Sequence, residues 1–184
     1  MRNKLLFAGI GMVAGWLWHK NTRQLPISVK NTVTLITGGA SGIGKATAHT
    51  FAQHGAIIII VDLDQQLDNE LRQEFSIYDT PVHFIACDIT QTSQRDQLIQ
   101  DIMSHYEHID ILINNAGVSK GGAFIDLATD AIEKVIAVNL LGTLHLTQDI
   151  LKIMQAQNHG HIVNVSSVNA MMPPPGEAIY SASK

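Results

Sequence analysis

The sequence predicts an α/β fold, a three-layer α/β/α sandwich built around a doubly wound parallel sheet of at least five strands. Short apolar runs of strand character alternate with longer amphipathic runs, which is typical of parallel sheets. One run, Ile57–Val61, consists of five consecutive β-branched residues, as expected for a strand buried on both faces. The glycine-rich sequence GGASGIG also stands between the first strand-like run and the first helical run.

The first half of the chain supplies two strands and two helices. The first strand is predicted at Thr32–Thr37, and a helical pattern at Ala46–Gln53 ends before Gly55. The second strand, the β-branched run, ends at Asp62. The polar stretch Gln65–Phe75 carries apolar residues at four-residue steps, which indicates an amphipathic helix.

The second half continues the same alternation, with right-handed crossovers between the parallel strands. In chain order the predicted elements are a strand at Val82–Cys87, a helix at Ser93–Tyr106, a strand at Ile109–Ile113, a long helix at roughly Asp130–Gln157, a strand at Ile162–Val165 and a short helix from about Ala178. We assign residues 31–184 to one domain.

The composition restricts the kind of protein. A chain of 184 residues is long enough for one domain with a substantial core. Hydrophobic residues make up 46% and charged residues 15%, which favours a buried sheet. The net charge of −4, without a basic run, argues against a nucleic-acid partner. The single cysteine, Cys87, fits a reducing compartment, and the histidines show no metal-ligand spacing, so no metal is predicted.

The first 30 residues differ in character from the rest. Arg2 and Lys4 precede an apolar run, Leu5–Trp18, which as a helix spans about 21 Å and falls short of the ~30 Å hydrocarbon core. Three interpretations are open: a signal peptide, a short uncleaved membrane anchor, or a soluble helix packed on the domain. We favour the anchor, because tryptophans that prefer the membrane interface stand where a small-residue cleavage site is needed. The protein is then membrane-associated with its domain in the cytoplasm, and a soluble cytoplasmic protein is the alternative.

The glycine-rich turn predicts a dinucleotide-binding site. Its spacing is TGxxxGxG over Thr37–Gly44, between a strand and a helix. Glycines in such a turn let the backbone approach a pyrophosphate, and the helix N-terminus favours the negative charge of that group. An ordinary turn is the alternative.

Asp62 predicts which dinucleotide binds. It ends the second strand 18 residues after Gly44, close to the spacing of about 20 expected for a carboxylate that binds ribose hydroxyls. A carboxylate there repels a 2′-phosphate, and neither Ser41 nor Leu63 carries a charge that could bind one. These residues favour NAD over NADP, although an ordinary aspartate at a strand end is the alternative.

Other polar residues are predicted to lie near the same sheet edge. Asp88 and Ile89 follow the third strand, where an adenine could lie. The sequence NNAG, Asn114–Gly117, follows the fourth strand, and buried asparagines there must bond to backbone or to a ligand. Asn139 lies inside the long helix, where it could hold a water molecule.

Tyr180 and Lys184 are the predicted catalytic pair. The stretch His161–Lys184 runs from a strand through a serine pair to the tyrosine. If a helix begins near Ala178, the four-residue spacing places both side chains on one face. A neighbouring ammonium favours a phenolate, and Ser167 placed opposite could hold a substrate oxygen. An isolated YxxxK is most often a helix surface, but the upstream motifs favour a site that moves a proton on and off an alcohol oxygen.

With these motifs in this order, the stretch from about Asn31 to Lys184 resembles the short-chain dehydrogenase/reductase family, in the branch marked by TGxxxGxG, NNAG and YxxxK. The resemblance implies a Rossmann-like fold and NAD-dependent interconversion of an alcohol and a ketone or aldehyde. It implies a catalytic tetrad of Asn139, Ser167, Tyr180 and Lys184, in which Tyr180 is the general acid or base. The cofactor-binding residues that it implies, besides backbone near Val138, are Thr37, Gly38, Ser41, Gly42, Ile43, Gly44, Asp62, Asp88, Ile89, Asn115, Ala116, Gly117, Tyr180 and Lys184.

An apolar anchor before such a domain is similar to the membrane-attached members that act on retinoids, steroids or other lipophilic alcohols. We therefore expect a small lipophilic alcohol or carbonyl substrate and membrane attachment through residues 5–18. The resemblance also implies a homo-oligomer for a complete chain. The apolar loop Met171–Pro175 suits such a substrate, and a rigid spacer is the alternative.

The end of the sequence departs from the family pattern. The chain stops at Lys184, whereas family members usually continue with further strands and a substrate loop. We therefore expect an incomplete C-terminus, an exposed sheet edge, and a terminal carboxylate that holds the lysine's proton and opposes a phenolate at Tyr180. Two other functions stay open: a sugar-nucleotide epimerase or dehydratase, which also uses YxxxK, and a non-catalytic dinucleotide-binding protein.

Overall fold

The sheet has five parallel strands in the order β3-β2-β1-β4-β5, in a computed structural model that describes residues 28–184. This arrangement confirms the predicted doubly wound parallel sheet. Because the strand order reverses between β1 and β4, the carboxyl ends of these two strands flank a crevice of the kind in which α/β proteins bind ligands. The strands are β1 (Val33–Thr37), β2 (Ile57–Asp62), β3 (Val82–Ala86), β4 (Ile111–Asn114) and β5 (His161–Asn164).

Helices connect the strands and cover both faces of the sheet. A π-helical segment, Ala137–Gly142, joins α4 to α5 without interruption, and short 3₁₀ turns occur at Gln65–Leu67, Phe124–Asp126 and Val168–Ala170. The α-helices are α1 (Gly42–Gln53), α2 (Asp68–Phe75), α3 (Thr92–Tyr106), α4 (Thr129–Ile136), α5 (Thr143–Ala156) and α6 (Ala178–Ser183).

Two apolar cores lie on opposite faces of the sheet. Successive strand residues point to opposite faces, so that Leu35 belongs to one core and Ile36 to the other. The first core contains Leu98 of α3 and Leu146 of α5, and the second contains residues of α1 and α2 such as Phe75. The continuous β-branched run of the sequence forms β2, whose interior residues are buried as predicted.

The structure corrects several predicted boundaries. The helix after the glycine turn begins at Gly42 rather than Ala46, because the last two motif glycines belong to it. The fourth strand begins at Ile111 rather than Ile109. The long helix predicted at Asp130–Gln157 is present, but it contains the π-helical segment. One wider helical turn leaves no mark on hydrophobic spacing, and such segments are frequent at functional sites.

The predicted anchor, residues 5–18, lies outside the described residues. Among residues 28–184, no helix combines the length and the apolar character that crossing a bilayer requires. In the same part of the chain β5 is an edge strand, and its Val163 is 46% exposed.

Candidate active site

The glycine turn between β1 and α1 packs closely against neighbouring backbone. Gly38 and Gly42 have φ angles of +61° and +51°, in the left-handed region that favours glycine. A Cβ atom on Gly44 would lie 2.2 Å from the carbonyl oxygen of Gly38, so only glycine fits at this position. The turn therefore leaves open a backbone cradle at the N-terminus of α1, which fits a pyrophosphate.

Two polar side chains fasten this turn to the end of β4. Thr37 Oγ1 accepts hydrogen bonds from the backbone N–H groups of Asn115 and Ala116, both at 3.1 Å. Asn115 Nδ2 donates to the carbonyl oxygens of Thr37 (3.0 Å) and Gly38 (2.9 Å). The expectation that an asparagine of NNAG bonds to backbone is thus met, and Asn115 shapes the turn through its side chain.

A first crevice of about 310 Å³ opens at the point where the strand order reverses. It brings together eleven of the fourteen predicted cofactor-binding residues; Gly44 lies buried under the turn, and Tyr180 and Lys184 line a neighbouring crevice instead. The lining residues are Thr37, Gly38, Ser41, Gly42, Ile43, Val61, Asp62, Leu63, Cys87, Asp88, Ile89, Asn115, Ala116, Gly117, Val118 and Val138.

The Asp62 carboxylate lies between the glycine turn and this crevice. Its Oδ2 accepts a hydrogen bond from the Ala40 backbone N–H at 3.1 Å, and its Oδ1 accepts one from the Leu63 N–H at 2.8 Å. These bonds fix the orientation of the carboxylate without using all of its acceptor capacity. It can accept further bonds from ribose hydroxyls, and its charge opposes a phosphate in the same place.

The residues after β3 form another wall of the first crevice. Asp88 Oδ1 accepts bonds from Thr90 N (2.9 Å) and Thr90 Oγ1 (2.7 Å), and the Asp88 N–H donates to Gln94 Oε1 at 2.7 Å. Burial raises the pKa of the adjacent Cys87 thiol to about 11. Cys87 therefore stays protonated at neutral pH and acts there as an apolar wall residue.

A second crevice beside the first contains three of the four predicted catalytic residues: Ser167, Tyr180 and Lys184. The helix that carries Tyr180 begins at Ala178, as predicted. The two crevices share Ile43, Asn115, Gly117 and Val118, so that groups bound in them can meet. A phenol, a serine hydroxyl and an ammonium are thereby placed beside the glycine-turn crevice.

Lys184 lines the second crevice, and its ammonium contacts the backbone there. Its Nζ donates to the carbonyl oxygen of Val165 at 3.2 Å, and a Cβ atom on Gly117 would lie only 2.9 Å from it. Burial lowers the pKa of Lys184 below its usual value of 10.5. The predicted effect of a terminal carboxylate on this proton stays a prediction.

Asn139 lines neither crevice. It is buried in the π-helical segment, where its Oδ1 accepts from the Val118 N–H at 2.8 Å. Its Nδ2 donates to Val118 O at 2.9 Å and to Ser183 Oγ at 2.8 Å. Both Nδ2 protons are thus used by protein acceptors, and the structure gives the side chain a scaffolding position; its predicted water-binding role stays a prediction.

Sequence reasoning missed several lining residues. Val61 and Cys87 directly precede the predicted Asp62 and Asp88 and could have been found from that adjacency. Ser166 lines the second crevice, and its Oγ donates to the main-chain oxygen of Lys184 at 2.8 Å. Nothing in the sequence distinguishes that role from an exposed loop serine.

Comparison with known proteins gives one family and many relatives. A family model described as short chain dehydrogenase matches residues 32–184. An uncharacterized oxidoreductase of Staphylococcus epidermidis is 36% identical over 156 residues, which cover 85% of this chain and 66% of that protein. Epidermal retinol dehydrogenase 2 of Mus musculus is 30% identical over 188 residues, covering 100% of this chain and 60% of that protein.

A solved structure resembles the described fold closely. The crystal structure of NAD⁺-bound xylitol dehydrogenase superposes with a TM-score of 0.81 at 27% identity, covering 86% of this chain and 61% of that one. In these three comparisons the chain spans between 60% and 66% of the length of the protein that it matches.

Proposed function

Because this chain belongs to the short-chain dehydrogenase/reductase family, we propose that it is an NAD-linked oxidoreductase that interconverts an alcohol and a ketone or aldehyde. The observation that carries the proposal is the pair of adjoining crevices. One is formed by a glycine turn that fits a pyrophosphate, and the other contains Ser167, Tyr180 and Lys184. Because the two crevices share four lining residues, a dinucleotide bound in the first and an alcohol bound in the second would lie next to each other.

Tyr180 is the proposed general acid or base. In the direction of oxidation, the substrate hydroxyl loses its proton to the phenolate oxygen of Tyr180, while the C–H bond of the carbinol carbon breaks with transfer of a hydride. NAD, when bound, supplies the hydride acceptor. Lys184 is proposed to supply a positive charge near the phenol and to hold the ribose hydroxyls, and Ser167 Oγ is proposed to orient the substrate oxygen.

The proposed cofactor is NAD rather than NADP. The Asp62 carboxylate borders the crevice that receives the ribose, and the neighbouring Ser41 and Leu63 carry no positive charge. A 2′-phosphate would therefore meet a negative charge without a cationic partner. The similar xylitol dehydrogenase was solved with NAD⁺, which supports this choice.

The proposed substrate is a small lipophilic alcohol or its carbonyl. Met171 and Met172, in the loop before α6, are 86% and 74% exposed and offer an apolar surface. The match to a retinol dehydrogenase extends over the whole of this chain and supports a lipophilic substrate. Attachment to a membrane through residues 5–18 remains part of the proposal. Assembly into a homo-oligomer remains part of the proposal for a complete chain.

The proposal is tested by measuring NADH binding and NAD-dependent oxidation of a panel of primary and secondary alcohols. The assay includes this chain and a version extended beyond Lys184, with NADP as the comparison cofactor. We expect NADH binding in both proteins and turnover of lipophilic alcohols in the extended one. Binding without turnover in both would favour a non-catalytic dinucleotide-binding protein, and absence of binding in both would contradict the proposed function.

A further inference from the structure

Arg95 is a buried cation in an unfavourable position. It lies in the first turn of α3 and is only 4% exposed. The positive end of the helix dipole disfavours a cation in the first turn, and burial of a guanidinium costs further free energy unless its donors are paired. A side chain kept at such a cost must have specific partners nearby.

The guanidinium of Arg95 joins three separate elements. Its Nη1 donates to the carbonyl oxygen of Ile89 at 2.9 Å, and its Nη2 donates to Thr92 Oγ1 at 3.2 Å. Its Nε lies 3.4 Å from Oδ2 of Asp149, on α5. Arg95 therefore connects the loop after β3 with two helices on the same face of the sheet.

The residue that Arg95 holds by its carbonyl is part of the cofactor crevice. The side chain of Ile89 lines that crevice and packs on the π-helical segment, where a Cβ atom on Gly142 would lie 2.9 Å from Ile89 Cγ1. The backbone N–H of its neighbour Asp88 donates to the side chain of Gln94, which lies on α3 like Arg95. The crevice wall after β3 thus depends on α3 for its position.

We infer that Arg95, together with Asp149, is a positioning residue for the wall that receives the adenine end of the dinucleotide. The inference rests on the proposed NAD-binding function. Arg95 does not line the crevice and acts through the backbone of Ile89. Loss of its donors frees the backbone of Ile89 in this wall, while the glycine turn and the Tyr180 crevice keep their own supports.

The test separates the two ends of the cofactor. Affinities for AMP, for reduced nicotinamide mononucleotide and for NADH are measured by competition in the full chain, with thermal stability recorded in parallel. Arg95→Lys keeps the charge but cannot replace the planar set of donors. The double change Arg95→Met with Asp149→Leu replaces the ion pair by apolar groups of similar size, a change that often preserves stability.

We expect AMP and NADH to bind about five- to tenfold more weakly in both variants, which is the effect of losing roughly one hydrogen bond, while nicotinamide mononucleotide is unaffected. Arg72→Lys serves as a matched control, since Arg72 forms an exposed pair with Asp68 on α2. Equal weakening of both fragments, or no change in either, would overturn the positioning role. Wild-type protein that binds neither fragment nor NADH would instead overturn the proposed function itself.

Discussion

The side-chain amide of Asn139 donates a hydrogen bond of 2.8 Å to Ser183 Oγ and so joins the π-helical segment to the helix that carries Tyr180. Ser183 Oγ in turn donates to the carbonyl oxygen of Tyr180 at 2.8 Å. Ser183 is buried, and it lies directly before Lys184. The placement of the proposed catalytic pair therefore depends on a serine that lines neither crevice.

Ser183→Ala is expected to destabilise the protein by about 1–3 kcal/mol, because one buried Asn139 proton is left without its acceptor. Ser181→Ala is the matched control: within the described residues, Ser181 Oγ is buried and has no hydrogen-bond partner. Its removal should change stability by less than about 0.5 kcal/mol or stabilise the protein. The free energies of unfolding in urea measure both. Equal decreases in the free energy of unfolding of the two variants would show that the hydrogen bond to Asn139 does not account for the effect of Ser183→Ala.

In the version extended beyond Lys184, Tyr180→Phe is expected to lower kcat by about 100- to 10,000-fold, the usual contribution of a general acid or base. The affinity for NADH should change little, since the first crevice does not include the phenol. Tyr106→Phe removes a hydroxyl that bonds to His83, and because neither residue lines either crevice it should leave kcat unchanged. Steady-state rates and NADH titrations check both variants, and undiminished turnover in Tyr180→Phe would refute the role.

Asp62→Asn is expected to shift the ratio of the NADH and NADPH dissociation constants toward NADPH by about tenfold, equivalent to 1.4 kcal/mol. The change removes the negative charge that opposes a 2′-phosphate. Asp64→Asn is the control, because Asp64 caps the 3₁₀ turn through the Gln66 N–H and does not line the crevice. A ratio that stays at the wild-type value would mean that Asp62 does not select the cofactor.

Local sequence patterns predicted the strands and the glycine turn because these depend on short-range chemistry, whereas most of the site residues were implied by the family resemblance. The run Ile57–Val61 can only be a buried strand, and the spacing Thr37–Gly44 places glycines where backbone must pass close to backbone. The contacts of Asn139 with Val118 and of Arg95 with Ile89 could not be predicted from the sequence. Both join residues of different elements, and an Asn or Arg in a helix carries no local sign of what it will face.

Lys184 should make the free energy of unfolding vary with pH in the alkaline range. Burial lowers its pKa in the folded state below 10.5, its usual value, so that between the two values the unfolded chain binds more protons. Stability then rises with pH across that window. Lys184→Met removes the buried ammonium, and we expect this variant to be more stable than wild type at neutral pH and to lose that advantage toward about pH 10.5.

Urea unfolding at a series of pH values measures the difference between wild type and Lys184→Met, in which the groups that both proteins share cancel. Lys134→Met, which removes an exposed ammonium from α4, is the control and should give a difference that stays constant. If the stability advantage of Lys184→Met over wild type increased with rising pH, the hydrogen bond to Val165 would outweigh burial in setting the pKa of Lys184. In the version extended beyond Lys184, turnover should be lost in Lys184→Met at every pH, since the substitution removes the proposed ribose contact and the positive charge proposed to act near Tyr180. A gain in stability with a loss of activity would show that the site keeps this charge buried for its chemistry.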